Sequence, residues 1–83
     1  MALFKNHKQT FTPGECVAVR VEITPAHCIW QNAVVSRVDG DDVWVFYYYH
    51  DGSHSHARKL VKRQDCLTWG FTLDEYNSGK VAV

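Results

Sequence analysis

Hydrophobic and polar residues alternate along much of this chain, with the period of two that is typical of β-strands. Between Cys16 and Ile23 every second residue is apolar and β-branched, whereas the positions between them are Ala18, Arg20 and Glu22. Successive side chains of a strand point to opposite faces, so this pattern predicts a strand with one buried face.

Four more strands are predicted, because similar apolar runs are separated by turn residues. They cover Trp30–Val38, Val43–His50, Ser53–Val61 and Leu67–Phe71. Turns are indicated by Asp39-Gly40-Asp41-Asp42 and by Asp51-Gly52, because Asp-Gly favours tight hairpin connections. Thr72 and Glu75 have the spacing of a capping box, which predicts a short helix at Leu73–Ser78.

The chain length of 83 residues fits one domain. Residues 1–12 are polar with scattered phenylalanine and predict a flexible N-terminal arm, followed by a single domain over 13–83. Short strands joined by tight turns predict an all-β fold, a small barrel of about five strands with a short C-terminal helix. Closure of the sheet would remove the exposed strand edges.

Composition narrows the functional classes. The formal net charge is zero, which is unlike a strongly basic DNA-binding protein. A chain this short buries roughly 60–65% of its unfolded surface, so self-association would add stability. The odd number of cysteines, three, and the lack of an apolar segment for export or membrane insertion predict a cytoplasmic protein with no membrane partner.

The stretch from Val43 to Ala57 carries a surplus of aromatic and histidine residues. If Asp51-Gly52 forms a two-residue loop, the strand pairing puts one group of side chains on the outer face and another group in the core. The outward set is Tyr47, Tyr49, His54 and His56, and the core set is Trp44, Phe46 and Ala57. A slip of one residue would instead group Tyr48, His50, His54 and His56. The type I′ signal of Asp-Gly favours the first register.

An outward patch of rings and histidines suits a subunit interface, a small planar ligand or a peptide. Single-stranded nucleic acid is a weaker alternative, because Arg58-Lys59 and Lys62-Arg63 form a local basic patch nearby. No metal site is predicted, because the preferred register separates His50 from the other two histidines. No residue near Cys16 would activate its thiol, so no catalytic residue and no cofactor are predicted.

Several motifs resemble the SH3-like barrel of the plasmid-borne type II dihydrofolate reductases. They are Gly14-Glu15-Cys16-Val17, Trp30-Gln31-Asn32-Ala33-Val34-Val35, His50-Asp51-Gly52-Ser53 and Leu60. The resemblance implies a barrel and an oligomer. Where that family has Val-Gln-Ile-Tyr lining a shared pore, this chain has His54-Ser55-His56-Ala57. The family also uses a lysine shortly before the tryptophan, and this chain has no lysine between Lys8 and Lys59. The reductase activity is therefore an alternative and not the expected function.

A second resemblance is to Tudor domains, which surround a methylated lysine or arginine with aromatic rings. Trp30, Phe46 or Tyr47, Tyr49 and Asp51 occupy comparable positions. The sequence as a whole predicts a non-catalytic binding or interaction module that self-associates. Its predicted ligand or interface residues are Trp30, Tyr47, Tyr49, His54 and His56.

Overall fold

The computed structural model describes residues 11–49 and 51–79, and its main feature is one antiparallel sheet. The strands are β1 (Glu15–Thr24), β2 (His27–Asp39), β3 (Asp42–Tyr47), β4 (Lys59–Lys62) and β5 (Cys66–Thr72). A 3₁₀ turn at Arg63–Asp65 joins β4 to β5, and helix α1 (Leu73–Asn77) follows β5. The predicted all-β class, the five strands and the short C-terminal helix are confirmed.

The strands lie in the order β4-β3-β2-β1-β5, all antiparallel. Within the described part of the chain, β4 and β5 are the two edges of this sheet and do not pair with each other. The sheet is therefore not closed, although its order is consistent with a small barrel-like fold. The edge strand β4 has four residues and carries Lys59 and Lys62, charges that discourage further strand pairing.

Local signals account for most element boundaries. Helix α1 begins at the predicted capping box: Thr72 Oγ1 accepts a hydrogen bond from Glu75 N–H at 3.2 Å. Glu75 Oε1 in turn accepts one from Thr72 N–H at 3.0 Å. The fourth strand is shorter than expected, because the predicted span Ser53–Val61 becomes a strand only from Lys59.

The core lies on the inner face of the sheet and consists mainly of small β-branched side chains. Phe11, which was expected in the N-terminal arm, is 4% exposed and belongs to this core, whereas residues 1–10 of the predicted arm lie outside the described residues. The core cluster is made of Phe11, Val17, Val19, Ala33, Val35, Val43, Val45 and Cys66.

The predicted core positions in β3 are wrong. Val43 and Val45 are fully buried, while Trp44 and Phe46, at the alternate positions, are half-buried and so face the other side of the sheet. Ala57, also expected in the core, is exposed. That expectation rested on a two-residue turn at Asp51-Gly52, and this turn is one residue longer.

Candidate functional site

The turn after β3 is one residue longer than the sequence suggested. Tyr49 N–H donates to the carbonyl of Ser53 at 2.9 Å, and Gly52 N–H donates to the carbonyl of Tyr49 at 3.0 Å. Three residues therefore separate Tyr49 from Ser53, with Gly52 at a φ of 87°. Such loops combine a type I turn with a glycine in the left-handed region, so the predicted two-residue turn is wrong.

This extra residue changes which side chains share a face. Tyr48 pairs with His54, as in the alternative register, and their ring centroids lie 5.6 Å apart. Phe46 meets the same imidazole edge-on at 6.2 Å. Tyr47 turns inward and packs against the core, where burial raises the pKa of its hydroxyl. The fourth member of the alternative set, His50, lies outside the described residues.

A bend follows, and Ser55 holds it. The Ser55 hydroxyl is buried; it accepts a hydrogen bond from Tyr47 N–H at 3.0 Å and donates to the carbonyl of Ala57 at 3.1 Å. Tyr47 lies opposite Ser55, and the next pair is Val45 with Lys59. One residue separates Val45 from Tyr47, but three separate Ser55 from Lys59, so the segment that leads to β4 has two extra residues. His56 and Ala57 are displaced into the bend, so His56 has no partner strand position beside Tyr47.

The predicted site residues are thus only partly brought together. Tyr49, His54 and His56 line one shallow cleft at the tip of the hairpin. Trp30 lies in β2 opposite Arg20, is 47% exposed, and is not among the described residues that line this cleft. Neither Tyr47 nor Phe46 is among them, so Tyr49 is the one ring of those suggested by the Tudor resemblance that lines this cleft among the described residues.

We call this cleft the hairpin cleft, and its volume is about 610 Å³. The turn beside it is fixed by Asp51, whose carboxylate accepts from the Ser53 hydroxyl at 2.6 Å and from Ser53 N–H at 2.9 Å. These hydrogen bonds, the hydroxyl's first, lower the pKa of Asp51. The lining residues are Tyr49, Ser53, His54, Ser55, His56, Ala57 and Lys59.

A second pocket, which the sequence analysis missed, lies on the outer face of the sheet beside α1. We call it the aromatic pocket. Its volume is about 330 Å³, within the range of ligand sites in proteins. It is lined by Cys16, Asn32, Ala33, Val34, Tyr48, Trp69, Phe71, Leu73 and Tyr76.

Four elements besides the hairpin build the aromatic pocket. Cys16 of β1 and Val34 of β2 are directly paired and contribute neighbouring side chains. Strand β5 supplies Trp69 and Phe71, and Tyr76 of α1 stacks on Phe71 with ring centroids 5.9 Å apart and planes inclined by 20°. The capping box and this stack together hold α1 against β5, so the pocket wall is continuous.

The aromatic pocket is apolar and uncharged. Of its described lining residues none is an acid or a base at neutral pH, and the only thiol belongs to Cys16. Burial, with a smaller contribution from the Glu15 carboxylate, raises the pKa of that thiol to about 11. Cys16 is therefore neutral at physiological pH and is a poor nucleophile.

One alternation in the sequence pointed to this pocket. Trp69 and Phe71 are two positions apart in a predicted strand, and a capping box follows at once. That pattern sets two rings and a helix side by side. The sequence did not indicate which strand lies beside β5. In the structure β5 pairs with β1, and this pairing brings the two rings next to Cys16 and Val34.

Residues 11–49 and 51–79 contain no group of three or more histidine, cysteine, aspartate or glutamate side chains placed to hold a metal ion. No helix in these ranges is both long and apolar enough to cross a membrane.

The two pockets meet at one pair of rings. Tyr48 lines the aromatic pocket, and the imidazole of His54, which it contacts, lines the hairpin cleft. The chain matches no protein-family model, no curated protein and no solved structure.

Proposed function

We propose that this protein is a non-catalytic binding module whose aromatic pocket takes an uncharged aromatic or apolar group. The observation that carries this proposal is the pocket itself: about 330 Å³, with four aromatic side chains and no ionised side chain among its described lining residues. Ring stacking and removal of apolar surface from water both favour an uncharged ring in such a place.

The position of the pocket supports binding by a preformed site. Its floor is made by paired residues of β1 and β2, the two strands with the longest shared ladder. A floor of hydrogen-bonded strands keeps its shape when empty, so little ordering is required when a ligand enters. The neutral thiol of Cys16 also supports a binding role and not covalent catalysis.

A cationic ligand fits this pocket less well. A methylated ammonium group gains about 0.5–2 kcal/mol from aromatic faces. It also loses hydration on burial, and the described lining offers no carboxylate to compensate. An uncharged ring gains from the same faces without that cost.

The open five-stranded sheet also supports an SH3-like barrel as the finer description of the fold. Four consecutive strands are neighbours in the order β4-β3-β2-β1, and a 3₁₀ turn leads the chain from β4 to β5 on the far side of β1. Self-association stays a prediction, for which the solution mass by light scattering is the direct measurement.

A titration of the ¹⁵N-labelled protein with N-acetyl-tryptophanamide, followed by NMR, tests the proposed site. For a fragment of this size we expect a Kd of roughly 0.1–1 mM, from about 0.3 kcal/mol per non-hydrogen atom. Amide shifts should cluster at Asn32, Val34, Trp69 and Phe71. Absence of saturable shifts at millimolar probe would overturn the proposal, and turnover of dihydrofolate with a nicotinamide cofactor would replace it by the reductase alternative.

Two tyrosines provide a matched pair of variants. Tyr76 and Tyr49 are each 46% exposed, but Tyr76 lines the aromatic pocket and Tyr49 lines the hairpin cleft. Tyr76→Ala should weaken binding of the probe by about fivefold or more, because one ring wall is lost. Tyr49→Ala should leave it unchanged. Equal effects of the two substitutions would show that the probe binds elsewhere.

A further inference from the structure

We infer that the hairpin cleft is an anion subsite adjoining the aromatic pocket, so that the module binds an extended acidic peptide segment. An aromatic or apolar side chain of that segment enters the aromatic pocket, and a carboxylate a few residues away reaches the hairpin cleft. The inference rests on the proposed function for its aromatic half and adds the class of ligand.

The hairpin cleft is basic. Among its described lining residues Lys59 is the charged side chain, it lies together with the imidazoles of His54 and His56, and none of these residues is acidic. The nearest carboxylate along the chain, Asp51, accepts two hydrogen bonds from Ser53 within its own turn. An anionic group is therefore the ligand chemistry that complements this surface.

Lys59 is the cation that lines the hairpin cleft and is available for such a contact. The two bases that end β4 and follow it are occupied, since Lys62 Nζ lies 2.6 Å from Asp42 Oδ1 and an Arg63 guanidinium nitrogen lies 3.0 Å from Asp41 Oδ1. Within the described ranges Lys59 takes part in no such ion pair. Its ammonium group can thus meet a ligand carboxylate without first breaking an internal bond.

The imidazole of His54 is oriented to meet the backbone of the peptide. Its Nδ1 lies 2.9 Å from the carbonyl oxygen of Ser55, and a carbonyl can only accept, so Nδ1 carries a proton. In the neutral ring Nε2 is then an acceptor, suited to a backbone N–H of the peptide, and the ligand carboxylate is left to Lys59. The bend that Ser55 holds places this ring between Tyr48 and the cleft.

Continuity of the two sites favours one ligand that spans both. They share the Tyr48–His54 contact, and the two ring centroids are only 5.6 Å apart. An extended peptide advances about 3.3–3.6 Å per residue, so side chains two to four residues apart can reach either side of this ring pair. A peptide is favoured over a nucleic acid, because the aromatic pocket is uncharged and the net charge of the chain is zero.

Synthetic peptides test the inference by fluorescence anisotropy at low salt. The first has one tryptophan with glutamates two and four residues after it, and the second has glutamines in place of the glutamates. We expect the acidic peptide to bind about fivefold more tightly, as an exposed ion pair allows, and the difference to shrink in 0.5 M salt. Lys59→Gln should abolish the difference, while Lys62→Gln, the matched control, should preserve it.

Each outcome separates the two proposals. If Lys59→Gln leaves the preference for glutamate intact, or if Lys62→Gln removes it equally, the anion subsite is refuted. The proposed function then still stands wherever N-acetyl-tryptophanamide and the glutamine peptide bind. If neither of these binds the unsubstituted protein, the proposed function fails as well. Tighter binding of a short oligothymidylate than of the acidic peptide would overturn the inference in favour of nucleic acid.

Discussion

Two turns of this protein contain the same Asp-Gly dipeptide and differ by one residue in length. In the first, Asp39 pairs with Asp42, so the loop has two residues, and Gly40 has a φ of 61°. In the second, Tyr49 and Ser53 are the closing positions, so the loop has three. The first turn puts Val43 and Val45 in the core, and the second puts Tyr48 and His54 on the outside.

The two turns are also held differently. The carboxylates of Asp41 and Asp42 in the first turn reach Arg63, just after β4, and Lys62, the last residue of β4, so that turn is fixed to the sheet. Asp51 in the second turn bonds only to Ser53 among the described residues. The dipeptide therefore predicts where a glycine adopts positive φ, but the length of the loop depends on the polar residues that follow it.

The largest expected effect tests which face of β3 is buried. Val45→Ala should lower the free energy of unfolding by about 2–3 kcal/mol, because a fully buried side chain leaves a cavity. Phe46→Ala should cost about 1 kcal/mol, since Phe46 is half-buried and loses an edge contact with His54. Urea denaturation measures both. A loss of about 3–5 kcal/mol for Phe46→Ala would restore the register expected from a two-residue turn.

The same contrast explains how far the sequence alone could lead. The strands, the first turn and the capping box of α1 were predictable, because each depends on residues close together in the chain. The second register was not, because Ser55 decides it by joining Tyr47 N–H to the carbonyl of Ala57. Of the five predicted site residues, Tyr49, His54 and His56 therefore line the hairpin cleft, whereas Tyr47 and Trp30 are not among its described lining residues.

The aromatic pocket was beyond prediction for a related reason. Its rings come from Tyr48 just after β3, from β5 and from α1, and its floor from β1 and β2. Which rings meet depends on the sheet order, and that order places β5 beside β1 instead of beside β4. Nothing in the local pattern around Trp69 or Phe71 specifies this neighbour.

The next effect distinguishes the two turn glycines. Gly40 has a positive φ and the next residue, Asp41, does not, which is the pattern of a type II′ turn with glycine at its first central position. Gly52 occupies the left-handed position of a three-residue loop, which asparagine also tolerates. Gly40→Asn should therefore cost about 1–2 kcal/mol and Gly52→Asn less than about 0.5 kcal/mol in thermal unfolding. Equal costs would mean that the two glycines have the same backbone conformation.

A smaller effect concerns Cys66, which lies in the core on the inner face of the sheet. Burial, with a smaller contribution from Asp65, raises the pKa of the Cys66 thiol from 9.0 to about 12. Since the folded state holds this proton more tightly, its contribution to stability is complete below pH 9 and is lost as the pH rises toward 12. We expect a loss of about 1 kcal/mol between pH 9 and pH 10.

Cys66→Ala is the control for that titration. It should be less stable at neutral pH but lose less on going to pH 10, with the remaining slope coming partly from Cys16, whose pKa is also raised. Chemical denaturation at both pH values measures the two slopes. Identical slopes for Cys66→Ala and the unsubstituted protein would show that Cys66 does not face the core.

The smallest effect isolates the second turn. The Ser53 hydroxyl and, after it, the Ser53 amide lower the pKa of Asp51 below 3.8, so these bonds are complete at neutral pH and lost as the carboxylate is protonated. Ser53→Ala should move the Asp51 midpoint upward toward 3.8 in a carbon-detected NMR titration, because the larger of the two contributions is removed. Lys62 provides the contrast, since its raised pKa comes from Asp42 across the sheet and should not change in this variant. If both midpoints moved together, the second turn would be coupled to the sheet as tightly as the first, and the difference between the two Asp-Gly turns would lie in loop length alone.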